Sequence, residues 1–205
     1  MNREIKVAVI GLDTSHSIEF VRRFQAPDCP ADLKVSGLRA TACLRFDTPF
    51  QAKDGLDKRQ TQLEGWGVKV TTSFDEAVAG CDAILLEIND PAFHLDYFKK
   101  AAKLGKPVFI DKPLAGTIAE GRTILEWAAK HKVKAMSSSS LRFDTGLQDA
   151  LKQVPRPEVT NVYGPLGKAP AGDSLVWYGV HAFEMLQRAM GPGAAQVFAR
   201  ENDAG

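Results

Sequence analysis

The stretch VAVIGLDTSH, residues 7–16, decides how the rest of the chain is read. Val7, Ala8, Val9 and Ile10 form an unbroken apolar run. A strand shows such a run when both faces of a parallel sheet are covered. Gly11 follows, where a strand turns tightly into a helix. A phosphate-binding turn continues Gly-x-Gly-x-x-Gly, because glycine lets the backbone come close to a pyrophosphate at the helix N-terminus. Here Asp13 and His16 occupy the two later glycine places.

Strand and helix patterns alternate outward from this stretch. SHSIEFVRRFQA sets Ile18, Val21 and Phe24 on one helical face. LRATACLRF reads as a second strand, residues 51–64 as an exposed helix and VKVTT as a third strand. Ser73 with Glu76 makes a capping-box pattern for a short helix. DAILLEI is a fourth strand. PAFHLDYFKKAAKLG is an amphipathic helix closed by Gly105, which suits a left-handed terminal position. PVFI, TIAEGRTILEWAAKH and VKAMSSS continue as strand, helix and strand. This alternation predicts an α/β fold with a doubly wound parallel sheet. Ligands in such sheets sit beyond the carboxyl ends of the strands. The informative segments are therefore Gly11–His16, Arg45–Asp47, Asn89–His94 and Asp111–Pro113.

The pattern changes after residue 136. SSSSLRFDTGLQDALKQV leads into another helix, and EVTNVYG alternates like a strand. A Gly/Pro-rich loop follows. LVWYGVHAFEMLQRAMG then places Val176, Val180, Phe183, Leu186 and Met190 near one helical stripe. The domain reading is residues 1–136 as a complete α/β domain and 137–205 as part of a second.

Composition narrows the function classes. The 205 residues hold 44% hydrophobic and 25% charged residues with a net charge of +1, ordinary for a globular protein. Near-neutral charge gives no support to nucleic-acid binding or a polybasic membrane role. No apolar run approaches the ~20 residues of a membrane span. The start enters a strand pattern at once, so a cytoplasmic location is expected. Cys29, Cys43 and Cys81 are odd in number and make no CxxC pair, so reduced thiols are expected.

Residues 82–115, DAILLEINDPAFHLDYFKKAAKLGKPVFIDKPLA, resemble the glucose–fructose oxidoreductase and inositol dehydrogenase family, Gfo/Idh/MocA. The family's strand, turn, His, helix, Gly-Lys-x-Val and Glu-Lys-Pro run in this order. Here the last motif reads Asp111-Lys112-Pro113. SSSLRF and GVHAFEML are similar to its crossover and its second-domain helix. The resemblance implies a Rossmann domain binding NAD or NADP, followed by a second α/β domain with an open sheet that supports substrate and oligomer contacts. Most of that second sheet is missing from this chain, so an incomplete second domain and a homo-oligomer are expected. The implied reaction is hydride transfer between the nicotinamide and a sugar, cyclitol or related hydroxy compound. The alternative is a non-catalytic relative serving as a ligand-binding or assembly module.

The resemblance makes Lys112 and His181 the catalytic candidates. Lys112 would steady developing alkoxide charge, and His181 would relay a proton. Each has a structural alternative: Lys112 paired with Asp111, His181 as packing. The family's carboxylate four residues before this His is Trp177 here, with Glu184 as a possible substitute and Trp177 as an apolar wall for a sugar ring. The cofactor candidates are Gly11, Asp13, Thr14, Ser15, His16, Asn89, His94, Asp111 and Lys112. Asp13 either sets a negative charge against the phosphates or, like Thr14 or Ser15, caps the helix. His16 offsets Asp13, contacts phosphate or lies on the surface. His94 either faces the cleft or simply begins a helix. Arg45 and Asp47 offer opposite choices for the ribose, or are loop charges in water. No metal is expected, because Asp13, His16, His94 and His181 lack ligand spacing on any one element. A serine hydrolase lacks its Gly-x-Ser-x-Gly turn.

Overall fold

The computed structural model describes residues 3–200; Met1, Asn2 and residues 201–205 lie outside the described residues. Both proposed domains reach into these unplaced ends. The alternating strands form a six-stranded parallel sheet in the order β3-β2-β1-β4-β5-β6. They are β1 (Ile5–Ile10), β2 (Leu38–Leu44), β3 (Lys69–Thr71), β4 (Ala83–Leu86), β5 (Val108–Ile110) and β6 (Ala135–Ser137). The helices between them are α1 (His16–Gln25), α2 (Lys53–Gly65), α3 (Phe74–Val78), α4 (His94–Ala102) and α5 (Ile118–His131). The chain runs outward from β1 to β3, then returns to β4 on the other side of β1. The crevice where strand order reverses lies at the carboxyl ends of β1 and β4.

The apolar run of β1 is buried because helices cover both its faces. Val9 packs with Ile18 and Val21 of α1 and Leu56 and Leu63 of α2. Ala8 and Ile10 pack instead with Ile84, Phe98, Ile110 and Ile124. Each fully buried Ile or Leu contributes about 1.5–3 kcal/mol, so the two layers fix the register of the central strands. Helix ends follow local chemistry. Ser73 accepts from the Glu76 N–H and Thr117 from the Glu120 N–H. Glu76 turns outward to Lys69 and Thr71, so only half of the predicted capping box forms. Gly105 has φ +63°, the left-handed position expected after α4.

Beyond β6 come a 3-10 turn (Ser140–Phe143), α6 (Thr145–Gln153), a π-helical turn (Leu175–Gly179) and α7 (Val180–Met190). No strand occurs among the described residues after Ser137. The strand expected from EVTNVYG is corrected: Val159 and Tyr163 are 76% and 97% exposed, and alternation without a neighbouring strand leaves the backbone no ladder to join. The described second part is thus helical, where an α/β arrangement was expected. The apolar stripe of α7 is likewise open, with Phe183 56% exposed.

Candidate functional site

The turn after β1 departs from a phosphate cradle in what its residues touch. Gly11 has φ +108°, and a Cβ there would lie 2.2 Å from the Glu87 carbonyl oxygen. Glycine is required because β1 and β4 end against each other. Asp13 is 1% exposed. Its carboxylate accepts from the Asn89 backbone N–H at 2.9 Å and from the Thr48 hydroxyl at 2.7 Å. It therefore ties together the loops after β1, β2 and β4. Burial pushes this carboxyl up from its usual range, against the lowering effect of those hydrogen bonds. Arg59 closes the same turn by donating to the Leu12 carbonyl at 3.0 Å.

These contacts correct two expectations. Ser15 makes no capping hydrogen bond to α1, and Asp13 points away to Asn89 and Thr48. Thr14 Oγ1 accepts from the His16 N–H at 3.2 Å, engaging one donor that an anion would need. His16 neither offsets Asp13 nor lies free on the surface. Its Nδ1 sits 2.6 Å from Asp111 Oδ2, across the end of the sheet.

The second part of the chain closes over this place. The Trp177 indole N–H donates to Asn89 Oδ1 at 2.9 Å, and its ring packs 5.4 Å from Phe50. The remaining hollow among Asp13, Ser15, Gln51, Arg59 and Trp177 is about 240 Å³. Sites for small organic ligands run to about 300–1,000 Å³. The Asp13 and Trp177 contacts narrow the crevice where a dinucleotide's pyrophosphate would enter. Trp177 is tied to Asn89 and lines this hollow together with Lys112 and His181.

A larger cleft of about 560 Å³ opens on the other side of Lys112 and His181. Its apolar lining includes Phe20, Phe109, Met136 and Phe143; its polar lining includes His16, Asp111, Ser139 and His181. Lys112 follows β5 and is 5% exposed. Its ammonium lies 6.0 Å from the centre of the Tyr178 ring. Burial lowers its pKa, while Asp111, Glu87 and Asp13 pull it back up. No ion pair joins Lys112 to Asp111 among the described residues; the contact is the Lys112 backbone N–H donating to Asp111 Oδ1 at 2.8 Å. His181 shares a 2.7 Å hydrogen bond between its Nδ1 and Ser139 Oγ, and its ring meets Tyr178 edge-on. Burial, then the Lys112 charge, lowers the His181 pKa. At neutral pH the ring is a neutral group able to give or take a proton.

Other candidates fall elsewhere. Glu184 does not serve His181; it pairs with Arg142 at 3.1 Å and holds α7 to the 3-10 turn. His94 is 0% exposed and out of the cleft. Its Nε2 lies 2.7 Å from the Ile88 carbonyl oxygen, because the turn Pro91–Phe93 swings the ring inward. Arg45 is engaged by Asp57 and Gln60, both at 2.6 Å, and Asp47 is exposed.

Two residues at the site carried no sequence motif. Ser139 lies in a serine run that reads as a linker, and only the folded chain brings it to His181. Glu87 follows β4 and is fully buried with both carboxylate oxygens unpartnered among the described residues. Its signal was available: an acid inside the apolar run AILLEI. Burial pushes its carboxyl well above the usual range, and the Asp111 charge adds to that.

Comparison with known proteins agrees with this architecture. Residues 49–139 match the Gfo/Idh/MocA family model, described as an oxidoreductase family with an NAD-binding Rossmann fold. Among solved structures, the chain is similar to scyllo-inositol dehydrogenase from Lactobacillus casei with bound NAD(H) and scyllo-inositol, at 19% identity and TM-score 0.65, covering 92% of this chain and 57% of that one. It is also similar to myo-inositol dehydrogenase from the same organism in complex with NAD(H) and myo-inositol, at 18% identity and TM-score 0.59, covering 74% and 41%. The WlbA dehydrogenase from Bordetella pertussis, in complex with NADH and UDP-GlcNAcA, aligns at 16% identity and TM-score 0.57, covering 76% and 40%. At these identities the likeness concerns the fold, and the chain spans little more than half the length of the first of these proteins. Over residues 49–139 the chain is thus similar in sequence to the Gfo/Idh/MocA oxidoreductase family, and over the rest the likeness is one of fold.

Proposed function

We propose that this chain binds a polyol, cyclitol or sugar in the cleft beside Lys112 and His181, and that its own side chains close the ordinary nucleotide crevice. The observation behind this reading is the Asp13 tether to Asn89 and Thr48, roofed by Trp177. Residues 1–136 form the nucleotide-fold domain in this reading, and Trp177, from the second part of the chain, supplies the roof. A buried ammonium can donate to a hydroxyl oxygen, and the neutral His181–Ser139 pair can accept from a second hydroxyl. Phe20, Phe109 and Phe143 offer apolar surface for the carbon face of a ring. The inositol-binding neighbours support this ligand class.

A second reading is an NAD(P)-dependent oxidoreductase acting on the same compounds, favoured by Lys112 and His181 lining one cleft. It requires the Asp13 and Trp177 contacts to open first. Titration calorimetry with myo-inositol tests the ligand class. Native protein should bind it, and Lys112→Met should weaken binding at least tenfold with its thermal transition retained. Equal affinity in the two proteins would remove Lys112 from the ligand site.

A further inference from the structure

We infer that His16, Glu87 and Asp111 form a binding site for one divalent transition-metal ion. The residues come from the start of α1 and from the ends of β4 and β5, so the fold itself brings them together. One ligand atom from each lies within 4.8 Å of the others. The decisive member is Glu87. A carboxyl group with no solvent and no hydrogen-bond donor is costly in a folded protein, and such groups are ordinarily paired or bound to a cation. No lysine or arginine ion pair reaches Glu87 among the described residues.

The donor set has definite chemistry. One imidazole nitrogen with two carboxylate oxygens suits Zn²⁺, Mn²⁺ or Fe²⁺. Tetrahedral zinc, with bonds of about 2.0–2.2 Å, sets its ligand atoms about 3.3 Å apart. The 2.6 Å contact between His16 Nδ1 and Asp111 Oδ2 would open by about 0.7 Å as both atoms turn to the ion. Asp111 is prepared for this, because its other oxygen already accepts from the Lys112 backbone N–H. His16 is 37% exposed at its side chain and lines the larger cleft, so the ion has an entry route. The Lys112 ammonium weakens binding by repulsion. The ion adds to the positive charge that Lys112 already sets near the two buried carboxyl groups.

The test uses the full chain stripped with EDTA, then titrated with ZnCl₂ and separately with MnCl₂. Calorimetry should give one ion per chain for at least one metal, with a raised thermal midpoint. His16→Ala and Glu87→Gln should each lower that affinity at least tenfold. Their midpoints in EDTA report whether they fold, and His16, only partly buried, serves even if the Glu87 variant does not. Co²⁺ should give visible d–d bands that His16→Ala removes. No saturable binding of either metal to native protein would overturn the site and leave Glu87 as a protonated, ion-free acid. Affinity unchanged in His16→Ala would overturn it equally.

Discussion

Replacing Asp13 separates its structural role from a purely electrostatic one. Asp13→Ala removes the acceptor for the Asn89 N–H and the Thr48 hydroxyl while leaving both donors in place. The loss of a partner for a buried donor costs about 1–3 kcal/mol. The Thr48 hydroxyl is half-buried and can turn toward water, so its share is smaller. Relief of the buried carboxyl offsets part of the loss. The net expectation is about 2–3 kcal/mol of destabilisation. For a chain of this length, that lowers the thermal midpoint by roughly 4–12 °C. Asp13→Asn keeps an oxygen for the Asn89 N–H and offers an N–H to Thr48, so its cost stays below about 1 kcal/mol. Circular dichroism melts of the three proteins at pH 7 read the difference. If Asp13→Ala melts no lower than Asp13→Asn, the tether between the three loops is not what Asp13 does.

The same residue gives a pH dependence. Its folded-state pKa is raised, so the fold binds this proton more tightly than the unfolded chain does. The stabilisation is full below the unfolded value near 3.8 and is lost as pH rises through the folded value. The native midpoint minus that of Asp13→Asn should therefore fall between pH 4 and pH 7; a rise would reverse the sign of the argument. Gly11→Ala combines a left-handed φ with a Cβ placed 2.2 Å from a backbone oxygen. It should cost at least about 3 kcal/mol, seen as insoluble expression or a midpoint lowered by roughly 6 °C or more. A melt within about 2 °C of native would show that β1 and β4 can separate there.

Where sequence and structure agree, the cause is local. Val7–Ile10 is apolar at every position because helices cover both faces of β1, and that run, repeated by later strands, predicts the parallel sheet. Gly105 and Ser73 act through their own backbone neighbourhoods, so their positions mark helix ends directly. The site was less legible because its contacts are long-range. His16 meets Asp111 across 95 positions, and Trp177 meets Asn89 across 88. Pattern along the chain says nothing about either. His94 begins α4, one of its two readings, and points inward because of the turn before it. EVTNVYG has the alternation of a strand but no partner strand among the described residues.

The central proposal is that Asp13, Asn89 and Trp177 close the nucleotide crevice. Calorimetric titration of the native chain with NADH, and in parallel with NADPH, tests this most directly. The expected result is no saturable heat with either nucleotide up to millimolar concentration. Stoichiometric binding of either in the micromolar range would contradict it.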